Sequence, residues 1–137
     1  MLMNAVPILY EIQKALEDFI KTGQNHIIYT NKIPLSEEDK EFLLDVLGEG
    51  SIKIEYKSKR EYITFKETSL IGVWLGVVYD VERKPILEIL EINSFPFMLQ
   101  APKEDMEDSI KRLKDILKDF ENKDENKDQI KGGKDYV

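Results

Sequence analysis

Apolar residues first recur at helical spacing. Ile8, Ile12, Ala15, Leu16 and Phe19 fall on one stripe of residues 4–21. Asn4 is a residue type that caps helices, Pro7 fits a first turn, where a missing N–H costs nothing, and Gly23 ends the segment. The run "HIIYT", 26–30, is β-branched and aromatic and predicts a strand, and "NKIPL" connects it onward. Ser36 opens a second helix whose first turn carries Glu37, Glu38 and Asp39 against the helix dipole. Its apolar face is Phe42, Leu43, Val46 and Leu47.

After Gly48-Glu49-Gly50 the period falls to two. Ile52, Ile54 and Tyr56 alternate with Lys53, Glu55 and Lys57, a strand with one wet face. A turn at Ser58-Lys59-Arg60 leads to "EYITFKE", 61–67, which should pair with it as a hairpin. In "SLIGVWLGVVYD", 69–80, Ile71, Val73, Leu75 and Val77 point one way and Leu70, Trp74 and Val78 the other. Both faces are apolar, which predicts a central strand. "PILEILEINSF", 85–95, should pair with it, and Pro96 limits its end. Pro102 opens a last helix with Met106, Ile110, Leu113, Ile116, Leu117 and Phe120 on one face. The order α-β-α-β-β-β-β-α predicts an α+β domain, a mainly antiparallel sheet of about five strands with three helices.

The 137 residues suit one domain with one core, expected over 1–120. The Lys-, Asp-, Glu- and Asn-rich segment 121–137 reads as a charged, disordered tail. A net charge of −7 disfavours nucleic acid and anionic lipid, which need clustered cations. The absence of cysteine excludes disulfides, thiolate nucleophiles and Cys-ligated metal centres. The start lacks a basic region before a continuous apolar core, and no apolar run approaches spanning length. The chain therefore reads as cytoplasmic, with no membrane insertion.

Candidate chemistry is sparse. Gly48 and Gly50 lie between a helix and a strand, the reverse of a phosphate-binding loop, and no Lys-Ser follows them. Gly48 sits where a helix-ending glycine belongs, and both glycines read as a structural turn. His26 is the one histidine and precedes an apolar strand with no catalytic motif around it. Only carboxylates remain as metal ligands, without calcium-loop spacing, so neither a resident cofactor nor a metal is expected. Glu88 and Glu91, three apart on a strand, fall on opposite faces. Glu49 and Glu67 could meet only through tertiary folding. Trp74 is either core or interface. Gly72 and Gly76 flank it and would permit close approach if helices cover one sheet face and leave the other as an apolar patch. Phe95 and Phe97 offer further anchors.

These segments resemble the conserved C-terminal-type domain of the HupH/HyaF hydrogenase expression proteins. "NAVPILYEIQKALEDF" is similar to that domain's opening Asn-Ala-Leu-Pro helix and "VLGEG", 46–50, to its Leu-Gly-Glu-Gly junction. "GVW", 72–74, resembles its Gly-Val-Trp segment, and "LEILEINSFP", 87–96, its Ile-Glu-Val…Phe-Pro segment. The resemblance spans residue 4 to about residue 118. It implies a non-enzymatic accessory protein or chaperone in nickel–iron hydrogenase maturation, binding the small-subunit precursor or another maturation protein. Glu49, Gly72, Trp74, Gly76, Phe95 and Phe97 are the expected contact residues. The alternatives are a homodimer-forming interaction module and a carboxylate- and magnesium-dependent enzyme.

Overall fold

The computed structural model describes residues 1–127 and bears out the α+β class and the order of elements. Two compact units are present, residues 1–100 and the segment from Ala101 on. In the first, α1 (Ala5–Thr22) precedes β1 (His26–Tyr29) and a 3-10 turn (Thr30–Lys32). Then come α2 (Glu37–Leu47), β2 (Lys53–Lys57), β3 (Tyr62–Glu67), β4 (Val73–Tyr79) and β5 (Pro85–Ile92), and a 3-10 turn at Phe97–Leu99. The second holds α3 (Lys103–Lys127), on which Met106, Ile110, Leu113, Leu117 and Phe120 recur at helical spacing. α3 runs seven residues past Phe120 into the charged segment, and the rest of the expected tail, 128–137, lies outside the described residues.

The five strands form one antiparallel sheet in the order β1-β5-β4-β3-β2. The three sequence-adjacent pairs are hairpins. The long-range pair places β1 beside β5, with Ile28 opposite Leu90. Strand periodicity then sorts the side chains. Val73, Leu75, Leu90, Ile92 and Ile28 face α1 and α2, packing with Ala5, Ile8, Ile12, Ala15, Leu43 and Leu47. Ile63, Phe65, Trp74 and Ile89 form a second apolar cluster on the opposite face.

The helix starts hold together through one side chain. Asn4 stands at the N-cap of α1 but makes no side-chain cap; its Nδ2 donates to the Pro34 carbonyl at 2.5 Å. The capping oxygens come instead from Asp39 on α2. They accept from the backbone N–H groups of Met3 (2.8 Å), Asn4 (3.1 Å) and Ala5 (3.2 Å). Asp39 also accepts from Ser36 N–H (3.0 Å), while Ser36 Oγ accepts from Asp39 N–H (3.0 Å), a capping box on α2 itself. Burial raises the Asp39 pKa, but the four N–H donors outweigh it and hold the carboxyl well below the usual aspartate range.

Candidate interaction site

Of the expected site residues, Glu49, Gly72, Trp74, Phe95 and Phe97 lie at the end of the sheet where β3 ends, β4 begins and β5 ends, while Gly76 sits in the middle of β4. α2 stops at Gly48, which has φ +59 and donates its N–H to Leu44 O at 2.9 Å. Two residues on, Gly50 donates to Glu67 O at 2.8 Å. A Cβ on Gly50 would stand 2.5 Å from Thr68 O and 2.7 Å from Glu67 O, so only glycine lets the two backbones meet. Ser69 closes the corner from the other side, its N–H and Oγ both donating to Leu47 O, at 2.7 and 2.6 Å. Glu49 at the apex is exposed and forms no hydrogen bond or ion pair among the described residues.

The strand expected from Ser69 begins only at Val73. Ser69–Gly72 form a turn instead, with Thr68 Oγ1 accepting from Leu70 N–H (3.2 Å) and Gly72 at φ +91. A hydroxyl that bonds two residues ahead favours a turn over a ladder, and this overrides the apolar run. Ile71, expected to line a sheet face, is therefore on the turn and 76% exposed.

Trp74 is core. It is 1% exposed, its Nε1–H donates to Asn93 O at 3.0 Å, and the Phe95 ring meets it edge-on at 5.9 Å. The expected open apolar patch around it is corrected for the same reason. The side chain that approaches Gly76 is the chain's own Phe65, whose ring stands where a Cβ would be, and Ile89 crowds the same position. Gly72 lies outside the strand and serves the turn.

On the sheet, Trp74 lies between Glu67 and Glu91 in direct register. Both acids are buried, and sequence reasoning gave neither a role. Glu67 Oε2 accepts from Gly72 N–H at 3.2 Å and so braces the turn. Glu91, 1% exposed, forms no ion pair among the described residues. Its Oε2 accepts from Asn93 Nδ2 (2.9 Å), Asn25 Nδ2 (3.2 Å) and Phe97 N–H (2.9 Å). A buried carboxyl must find such donors, and these three tie the loop after β5 to the start of β1. Gln100 Nε2 adds a bond to Phe95 O at 3.0 Å. The loop is thus fixed while Phe95 and Met98 stay partly exposed and Phe97 is 64% exposed. The period-two alternation that puts Ile89 on this face also puts Glu91 there, which is the signal that could have found it.

His26 serves the other layer: its Nε2 lies 2.7 Å from Glu11 Oε2, joining β1 to α1. Glu88 and Glu91 fall on opposite faces, as their spacing requires. Among the described residues no group of three or more His, Asp or Glu side chains is arranged to hold a metal. Among the described residues no helix is long and apolar enough to cross a membrane.

The fold and this end define an α+β domain with a braced corner of exposed apolar and acidic side chains. The chain belongs to a hydrogenase expression family: residues 2–120 match the C-terminal conserved region of the HupH hydrogenase expression protein. It is 34% identical over 116 residues to the hydrogenase expression/formation protein HupH of Rhizobium leguminosarum bv. viciae, covering 83% of this chain and 40% of that one. It is also 34% identical to the hydrogenase-1 operon protein HyaF of Escherichia coli (strain K12), covering 84% and 39%. The solved structure of the hydrogenase expression protein HupH from Thiobacillus denitrificans superimposes with a TM-score of 0.77 at 25% identity, covering 87% of this chain and 99% of that one. The chain spans about two fifths of the length of the curated relatives it matches.

Proposed function

We propose that this domain is a non-enzymatic accessory factor in nickel–iron hydrogenase maturation. It works in the cytoplasm by binding the immature small subunit or another maturation protein. The binding surface is the end of the sheet that carries Glu49, the Ser69–Gly72 turn, and Phe95 and Phe97. The observation that carries this reading is Phe97, an exposed aromatic on a loop whose backbone is held by a buried carboxyl. An exposed aromatic on a fixed loop loses little conformational freedom on binding, so more of its burial energy reaches the complex. Glu49, exposed and unbonded at the neighbouring corner, supplies a polar rim. Membership of a hydrogenase expression family supplies the process.

The test is capture by the tagged full chain from cells that make a nickel–iron hydrogenase. A small-subunit precursor or a maturation protein should be recovered under mild conditions. Phe97→Ala should weaken that binding by roughly 30-fold or more, the loss typical of an interface hot spot, with the melting temperature little changed. Recovery of neither kind of partner by the native chain would sink the proposal.

A further inference from the structure

The opposite end of the sheet carries a second feature that the Phe97 end does not explain. Five register steps separate Glu67 from Tyr62 on β3, about 17 Å of extended chain. There the β2–β3 turn, Ser58-Lys59-Arg60, lies beside the β4–β5 loop, Val81-Glu82-Arg83, and the two share a small surface cavity of about 80 Å³. Arg83 has φ +66, the only positive φ outside glycine among the described residues. Three-residue hairpin loops commonly place glycine at such a left-handed position, because a side chain there is strained. The loop is held in that shape from within. Asp80 Oδ1 accepts from the N–H groups of Glu82 (2.8 Å) and Lys84 (2.9 Å), and Arg83 N–H donates to Asp80 O (3.0 Å).

The strained backbone presents a guanidinium. The Arg83 side chain lies 4.2 Å from the Tyr62 ring centroid, and Lys57 Nζ lies 5.7 Å from the same ring. Tyr62 is itself fixed, its hydroxyl donating to Glu55 Oε2 at 2.7 Å and its ring 5.0 Å from Tyr79. Lys57, Lys59, Arg60 and Arg83 form no ion pair among the described residues, in a chain of net charge −7. Of the nearby acids, Glu55 is engaged by Tyr62, Asp80 by the loop backbone and Glu82 by Lys84 at 3.8 Å, which leaves exposed Glu61, at the cavity's edge, as the one local acid set against the cations Lys59, Arg60 and Arg83 that line the same cavity. Val81, 80% exposed, adds an apolar tip.

We propose that this tip is a docking site for an acidic segment of a partner protein, with Arg83 and Arg60 receiving its carboxylates. A guanidinium laid on a ring keeps its N–H fork directed outward and loses little freedom when it binds a carboxylate. The cavity admits one such group. The overall negative charge of the chain works against a polyanion that must lie along much of the surface, and favours a short acidic contact confined to the tip. The site is independent of which partner the Phe97 end takes.

The test uses the full chain and hexaglutamate as the probe, at low ionic strength, read by amide chemical shifts. Shifts should concentrate on Lys59, Arg60, Tyr62 and Arg83. Arg83→Gly should weaken binding about fivefold, the upper range for one exposed ion pair, yet melt no lower than the native chain, because glycine accepts the left-handed backbone. Arg60→Ala, which leaves the strained loop intact, should give a similar loss. Undiminished binding by both variants would overturn the proposal. So would a lower melting temperature for Arg83→Gly with binding unaffected, which makes the arginine scaffold. Equal shifts with hexalysine, inorganic phosphate or oligodeoxythymidine, or no shifts at the tip, would also overturn it.

Discussion

Trp74 is buried in one apolar cluster with Phe65, Ile63 and Ile89, meets the Phe95 ring edge-on, and has its indole N–H satisfied by Asn93. Truncation to alanine therefore empties a core site, and urea denaturation of Trp74→Ala should show a loss of about 3–5 kcal/mol. A loss well under 1 kcal/mol with impaired partner capture would return Trp74 to the interface. Gly76 carries the complementary expectation. A methyl there meets the Phe65 ring and Ile89, so Gly76→Ala should cost about 1–3 kcal/mol in the same assay. Neither outcome was readable from local sequence. The segment around Trp74 is apolar on alternating positions whether the occupant of its face is a partner or Phe65, and only the register of β3 against β4 places Phe65 opposite Gly76. Pro96 marks the end of the strand expected over 85–95 and leaves Phe97 beyond it, but β5 stops earlier, at Ile92, so Phe95 also falls on the loop. For Glu91 the alternation with Ile89 is the local sign of burial, whereas its spacing from Glu88 says only that the two face apart.

At the level of elements, α1 and α2 share one capping group. Asp39 ends up below its ordinary value because four N–H donors favour the ionised form. A depressed folded value contributes stability that is complete above the unfolded value, near 3.8, and is lost as pH falls from there toward the folded value. Asp39→Asn should lower the melting temperature at neutral pH, and its gap to the native chain should narrow below about pH 4. A gap that stays constant down to about pH 2 would show that charge at Asp39 contributes nothing. The β2–β3 and β4–β5 pairings and both of these helices followed from periodicity and punctuation. The start of β4 did not, because Thr68 diverts Ser69–Gly72 into a turn through its own hydroxyl, a competition that an apolar count cannot register.

Across the whole molecule, the two ends of one sheet are built differently. One end is braced by buried Glu67 and Glu91 and exposes Phe97; the other is braced by Asp80 and Tyr62 and exposes Lys59, Arg60 and Arg83. The sequence by itself determined the α+β class, the β2–β3 and β4–β5 pairings and the family, because these rest on periodicity, turn chemistry and motifs contained in short segments. Tertiary structure alone decided that β1 lies beside β5, that Asp39 caps a helix more than thirty residues away, and that Trp74 is covered by the chain itself. It also brought Arg60 and Arg83 to one tip. Each of these depends on which distant residues meet, and that is fixed by long-range pairing and packing rather than by any local preference. The Gly48-Glu49-Gly50 corner shows both at once. Its glycines announced a turn, but only the approach of the Glu67 and Thr68 carbonyls explains why Gly50 has no side chain.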